Sequence, residues 1–343
     1  MKTFAKAADI KVGVVGYGGA FNMGRAHLNE MQKAGMTPVA VAEIDPERLK
    51  AAGTDFSGIE TYASAGAMLR KSAVNLVTII TPHNTHAQLA LQCLKAGRHV
   101  VVEKPMALTT AECDAMIAAA RKARVVLSTY HNRHWDNLIL AAMKAIRSGQ
   151  IGEVVRVDVE MGSFGKPGDW WRTSKSISGG ILYDWGVHLL EYTLQIVDSD
   201  IEDVSGYLRS GVWAGQTKWK KDTNEDEGFV TVRYASGAWS TMRITTLDAR
   251  PNQPWFKVVG TRGTLALDWW SVESIAPDGG NMVTTRIPNP ESEGWKFYQN
   301  VADHLTKGRK LVITPEWARR PIHILDLAHQ SAKLGRSVKS KYR

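Results

Sequence analysis

His99-Val100-Val101-Val102-Glu103-Lys104-Pro105 is an unbroken apolar run that stops at a charge pair and a proline. A continuous valine run is how a parallel strand buried on both faces reads. Pro105 has no N–H to give to a ladder, so the strand ends there. Lys104 is thereby placed at the carboxyl edge of a strand, where open α/β sheets bind ligands. Lysine is rarely buried without a partner or a task, which makes Lys104 a candidate functional residue.

Outward from this strand, residues 10–130 alternate strand and helix. Residues 11–15, 39–44, 76–80 and 125–129 read as further strands. Helices are expected at 26–34, stopped by Gly35, and at 46–52. Another opens at Thr85, which has capping-box spacing to Gln88, and closes at Gly97. A fourth covers 115–122 behind a second capping box, Thr109 and Glu112. Strands alternating with helices at this pitch predict an α/β domain, a doubly wound parallel sheet. The texture then changes. A helix is expected at 137–147, a half-exposed strand at 154–161, and short strands at 229–234, 238–245, 256–260 and 264–269. These predict an α+β domain with a large, mostly antiparallel open sheet, covered on one face. A last helix is expected at 321–334, a candidate to pack back on the first domain. The expected domains are 1–130 and 131–343.

Composition agrees with two soluble domains. The chain has 343 residues, 44% hydrophobic and 22% charged, and no apolar run long enough to span a bilayer. Residues 1–9 lack an apolar core and a twin arginine, so no export signal is expected. Cys93 and Cys113 fall in predicted helices without metal or disulfide spacing, which fits a reducing, cytoplasmic setting and predicts no metal. The net charge is +9, from 43 basic and 34 acidic residues. The basic residues are scattered apart from a cluster at 333–343, so a soluble surface is expected rather than a nucleic-acid or membrane partner. Of 12 tryptophans only Trp135 precedes residue 150. Flat indoles suit the apolar faces of sugar rings as well as cores and interfaces, and the asymmetry says that the two halves do different work.

Two stretches carry chemistry. The first strand ends in Gly16-Tyr17-Gly18-Gly19, and Gly24 stands five residues further on, ahead of a helix. A dinucleotide pyrophosphate needs a tight turn, a side-chain-free approach and a helix N-terminus, and Gly16 and Gly18 supply the first two. The usual third glycine position holds Phe21, leaving Gly24 after a longer loop. A tight turn without ligand is the alternative. Glu43, ending the second strand, can accept from both ribose hydroxyls and repels a 2′-phosphate, favouring NAD, with NADP the alternative because Arg48 lies close. In the second stretch, Gly179-Gly180 precede an apolar helix with Asp184 and His188 four apart, on one face. The imidazole can take a hydroxyl proton, and a carboxylate beside it would orient it. A structural Asp–His pair would produce the same letters.

These residues resemble the glucose–fructose oxidoreductase/inositol dehydrogenase (Gfo/Idh/MocA) family over nearly the whole chain. The resemblance rests on 14–18 with 24–27, on 81–86, on 96–105, on 179–188, on 260–265 and on 324–338. It implies a Rossmann domain followed by a domain whose open sheet makes homodimer or homotetramer contacts. It also implies NAD(P)-dependent oxidation at a secondary alcohol of a sugar, polyol or related compound. Lys104 would lie between nicotinamide and substrate, with Asp184 and His188 as acid–base residues. Thr81, Pro82, His86, Glu103 and Arg133 would belong to the cofactor site. Trp171, Arg172, Lys175 and Tyr183, around the glycines, are candidate substrate residues. The phosphate loop is longer than the family norm, His83 replaces the commoner Asn, and Trp185 stands inside the DxGxH motif. The alternatives are an NAD-recycling glycosidase or epimerase on the same fold, and a non-catalytic dinucleotide or sugar sensor.

Overall fold

The computed structural model describes residues 3–342. The first two positions of the N-terminal segment and the last cation of the basic tail lie outside them. The chain divides into two compact units. One holds the residues up to Asn132 together with Trp295–Ile322, and the other holds Arg133–Gly294 and the residues from His323 on. The first unit therefore takes in a C-terminal segment in addition to residues 1–130.

The first unit runs β1 (Lys11–Val15), α1 (Met23–Lys33), β2 (Thr37–Ala42), α2 (Pro46–Asp55), β3 (Glu60–Tyr62), α3 (Ala65–Lys71), β4 (Leu76–Ile79), α4 (His86–Lys95), β5 (His99–Val102), α5 (Thr110–Ala123) and β6 (Leu127–Thr129). Among the described residues its strands form one parallel six-stranded sheet, ordered β3-β2-β1-β4-β5-β6. Both β4 and β5 are buried at every position, as their unbroken apolar sequence requires. The order reverses between β1 and β4, the switch point at which doubly wound sheets open a crevice.

The second unit begins with α6 (Asn137–Arg147), β7 (Val154–Gly162), α7 (Lys175–Ser178), α8 (Ile181–Asp184) and α9 (Gly186–Ile196). Seven strands follow: β8 (Ile201–Arg209), β9 (Glu227–Tyr234), β10 (Trp239–Thr245), β11 (Phe256–Gly260), β12 (Thr264–Leu267), β13 (Val272–Asp278) and β14 (Asn281–Ile287). The chain closes with α10 (Lys296–Lys307), α11 (Pro315–Leu334) and β15 (Val338–Lys339). Among the described residues the second sheet has nine strands, ordered β14-β13-β12-β11-β7-β10-β9-β8-β15. Its pairs are antiparallel except β7 with β10. Alternation along β7 sends Val157 and Val159 into the core and Arg156 and Asp158 to the other face, the pattern of a sheet covered on one side. Helix α9, buried over almost its whole length, covers that side.

Three local expectations change. Thr85 does not cap α4 with its side chain; its hydroxyl bonds Pro82 O at 2.7 Å and Thr81 Oγ1 at 2.6 Å, turning His83–Thr85 into a short 3₁₀ step. Helix α1 starts at Met23, three residues early, because Asn22 adopts φ 50° and turns the chain into it. Asp184 and His188 do not share one uninterrupted helix. Asp184 ends α8, and α9 starts after Trp185. The Thr109–Glu112 capping box forms as its spacing indicates.

Gly206 of β8 carries the packing of that strand against α11. A Cβ there would lie 2.2 Å from the carbonyl oxygen of Ala328, an immovable backbone atom, and overpacking of this kind costs about 1–3 kcal/mol. Gly206→Ala is expected to lower the urea midpoint of the second unit correspondingly, whereas Gly215→Ala, at a site with open space and an ordinary φ, is expected to leave it unchanged. Equal midpoints for wild type and Gly206→Ala would contradict this packing.

Candidate functional site

Parallel strands all point the same way, so the residues after β1, β2, β4 and β5 share one sheet edge. Gly16 has φ 102°, and a Cβ on it would fall 2.2 Å from Ile80 O, so only glycine passes between the ends of β1 and β4. Around Gly18 the space is open to 4 Å. Gly24, in the first turn of α1, packs against the Tyr17 ring, 2.6 Å from where a Cβ would stand. Glu43 accepts from the N–H of Tyr17 at 2.6 Å, of Ile44 at 2.6 Å and of Asp45 at 3.1 Å, tying the end of β2 to the glycine loop. The Arg48 guanidinium lies over Gly19, where a side chain would displace it. A bare turn, an open approach, a helix start and a carboxylate on the next strand together fit a dinucleotide's pyrophosphate and ribose.

Lys104 follows β5 on the same edge. Glu103 accepts its N–H at 2.9 Å and meets His27 Nε2 at 3.0 Å; His27 Nδ1 meets the Tyr298 hydroxyl at 2.7 Å. Burial pushes the Glu103 carboxyl up, but the His27 hydrogen bond and the Lys104 charge outweigh it and hold the group below its ordinary value. Thr81 and Pro82 follow β4. His86 is fully buried, with Nδ1 2.8 Å from Pro105 O and Nε2 2.8 Å from Thr81 O. It therefore ties the loop after β4 to the loop after β5. Burial pushes its pKa down against those two carbonyls. His83 is buried beside it, the rings 5.7 Å apart.

The second unit carries the other candidates. His188 is buried in the first turn of α9, 5.7 Å from the Trp185 ring. Asp184 accepts from the Arg172 guanidinium, which lies over Trp170 at 5.3 Å and Trp171 at 5.0 Å. Arg133 packs on Trp185 at 4.9 Å and donates to Asp136 at 2.9 Å, and Tyr192 donates to the same carboxylate at 2.6 Å. Tyr183 is buried, its ring 5.7 Å from His329, so it packs in the core instead of offering a face to substrate.

Glu225 escaped the sequence reading. It lies in the polar run 222–227, where neither periodicity nor a motif singles it out. Its buried carboxylate takes Lys175 Nζ at 2.6 Å and the Ile181 N–H at 3.1 Å, with His329 at 3.5 Å. Gly180, at φ 122°, leaves room for it: a Cβ would stand 2.5 Å from Glu225 Oε2. The double glycine thus admits a carboxylate from this chain. A separate cavity of about 650 Å³ opens on the sheet, lined by Asp158, Glu160, Glu227, Arg243, Lys257 and Trp255 among others. Four of its charges are paired: Asp158 with Lys257, and Glu160 with Arg243.

Family comparison adds to this geometry. Residues 10–131 match the model described as an oxidoreductase family with an NAD-binding Rossmann fold, and residues 139–266 match the GFO/IDH/MocA C-terminal domain. The chain belongs to the Gfo/Idh/MocA oxidoreductase family. It is 24% identical to a scyllo-inositol 2-dehydrogenase (NADP(+)) of Bacillus subtilis, over 98% of each chain. It is 26% identical to a myo-inositol 2-dehydrogenase of Thermotoga maritima, over 76% of this chain and 75% of that one. Among solved structures, an NAD-binding protein from Listeria innocua superimposes with a TM-score of 0.82 at 28% identity, covering 97% of both chains. The first unit is thus an NAD-binding Rossmann fold.

Burial alone would raise the Glu225 carboxyl, but its hydrogen bonds to His329 and Lys175 bring it down to about 2 from an ordinary 4.5. A lowered carboxylate stabilises the fold above its unfolded value and loses that contribution as pH falls through the folded one. The contribution is therefore complete above about 4.5, on the order of 3 kcal/mol, and disappears toward pH 2. Glu225→Gln is expected to be less stable than wild type to urea at pH 7, with the gap closing between pH 4.5 and pH 2. A gap that stays constant over that range would contradict it.

Proposed function

We propose that this chain is an NAD(P)-dependent dehydrogenase that transfers hydride between nicotinamide and a secondary alcohol of a sugar, polyol or glycoside. The observation that carries the proposal is Lys104, held by Glu103 at the same sheet edge as Gly16, Glu43 and Thr81. Gly16, Gly18 and Gly24 would hold the pyrophosphate, and Glu43 the adenosine ribose. The carboxylate favours NAD, and Arg48 leaves NADP as the alternative. Thr81 and Pro82 would flank the nicotinamide end. Bound there, the dinucleotide supplies a two-electron hydride acceptor. The chain's own part is proton handling and charge. His188 takes the hydroxyl proton on its ring, while Lys104 Nζ donates to the same oxygen and stabilises the negative charge developing on it. Arg172 holds the Asp184 carboxylate beside this chemistry, and Trp171 and Lys175 contribute to the substrate pocket.

The relatives' names, inositol dehydrogenases, support a ring alcohol as the reacting group. The paired charges of the nine-stranded sheet support docking of a second copy on that face, giving a homodimer or homotetramer. Cys93 and Cys113 are buried and neither is in a disulfide, and with the Cys93 thiol pushed up to about 12 by burial they suit a reducing cytoplasm. Among the described residues no helix is long and apolar enough to cross a membrane.

The test is a panel of sugars, cyclitols and glycosides offered with NAD and with NADP, followed by formation of the reduced cofactor. At least one ring alcohol is expected to be oxidised. Lys104→Met is expected to lower kcat by about 10²–10³-fold or more, the scale of losing an oxyanion donor, with dinucleotide affinity from calorimetry unchanged. Wild-type turnover retained in Lys104→Met would remove the lysine from the mechanism.

A further inference from the structure

Trp185, Trp255 and Trp269 of the second unit are not absorbed by this mechanism. Trp269 stands in the turn after β12. One of its faces stacks on Trp255, with centroids 4.6 Å apart and planes 20° apart. Trp255 is 3% exposed, and its indole N–H has no hydrogen-bond partner among the described residues, so it serves as a fixed apolar base. Trp269 itself is 41% exposed. Trp185 meets it at 5.9 Å and 75°, forming a corner of two perpendicular indoles. The same Trp185 touches His188 at 5.7 Å and carries the Arg133 guanidinium at 4.9 Å.

We propose that the Trp269–Trp185 corner is a binding subsite for a second ring of the substrate, glycosidically joined to the ring that is oxidised. The inference rests on the dehydrogenase reading above and names its substrate class more narrowly. Trp185 touches both Trp269 and His188, so a substrate with one ring at His188 and a second ring on Trp269 would span the one indole that meets both. The chemistry of the corner selects a sugar ring. A pyranose offers a face of C–H groups to an indole and a rim of hydroxyls to polar neighbours. Polar neighbours are present: Arg133 with Asp136 lies against Trp185, and Arg172 with Asp184 on the residue before it. A purely apolar occupant would leave those charge pairs desolvated without compensation. The turn Asp268-Trp269-Trp270 places a large aromatic face in water, and an apolar ring face is what such an exposed indole gains from covering.

The test uses matched pairs: D-glucose with cellobiose, D-xylose with xylobiose, D-galactose with β-1,4-galactobiose, and myo-inositol with galactinol. Each is titrated calorimetrically into wild type, Trp269→Ala and Trp269→Phe, and initial rates are measured in parallel with NAD. For the pair that is turned over, the two-ring member is expected to bind wild type about tenfold more tightly than its one-ring partner, the scale of one covered ring face. Trp269→Ala is expected to erase that advantage while leaving the one-ring partner within about twofold, which also reports that the variant folds. Trp269→Phe, which keeps a ring, is expected to retain most of it. Equal affinity for both members in wild type, or equal weakening of both in Trp269→Ala, would overturn the subsite and leave the dehydrogenase reading standing. No binding and no turnover with every pair would overturn both.

Discussion

The carboxylate of Glu103 fixes the end of β5. Its oxygens take the amide of Lys104 and the ring of His27, the far side of that ring meets the hydroxyl of Tyr298, and Tyr298 lies 3.1 Å from Thr78 Oγ1. One anion thus ties together β5, α1, α10 and β4. Such a network is costly to break, because each buried member depends on the others for its partner. Lys104 is therefore positioned by a polar framework behind it as well as by the packing of the valine strand. Helix α10, far along the sequence, belongs to this unit because it supplies the tyrosine.

Strand polarity extends that constraint into a site. In a parallel sheet, a residue one step past the end of any strand arrives at one edge. The reversal of order between β1 and β4 opens that edge where the glycine loop starts. Gly16, Glu43, Thr81 and Lys104, dispersed over almost 90 residues of sequence, meet there without any long-range motif being needed. The second unit follows a different logic. Its candidate residues are held by ion pairs and aromatic contacts between α7, α8, α9 and the loops that face them, and the double glycine makes room for the buried carboxylate of Glu225.

Much of this was legible in the sequence where pattern and chemistry coincide. The valine run before Lys104, the capping box at Thr109 and the alternation in β7 each report a local rule that the tertiary structure leaves intact. Asp184 and His188 show where local reading stops. Spacing alone gives them one face of one helix, but the chain breaks after Asp184, and the carboxylate pairs with Arg172 twelve residues upstream. His86 shows the same limit in reverse. Its letters fit a ligand-lining residue, and only the structure shows its ring held between the carbonyls of Thr81 and Pro105, one of them taking its N–H. Glu225 and Tyr298 were out of reach because their roles are set entirely by partners distant in sequence. The tryptophan asymmetry was visible from the start, but only coordinates assign its members to a stack, a corner or the core.

The central proposal is that Lys104 and His188 act on the same alcohol oxygen. A double-mutant cycle on kcat/KM tests it most directly, using Lys104→Met, His188→Ala and the double variant with a substrate found by the panel. Groups acting on one transition state are strongly non-additive, so the account predicts that the double variant loses little more than the more damaged single one. Losses that multiply would show the two residues acting independently and contradict the account.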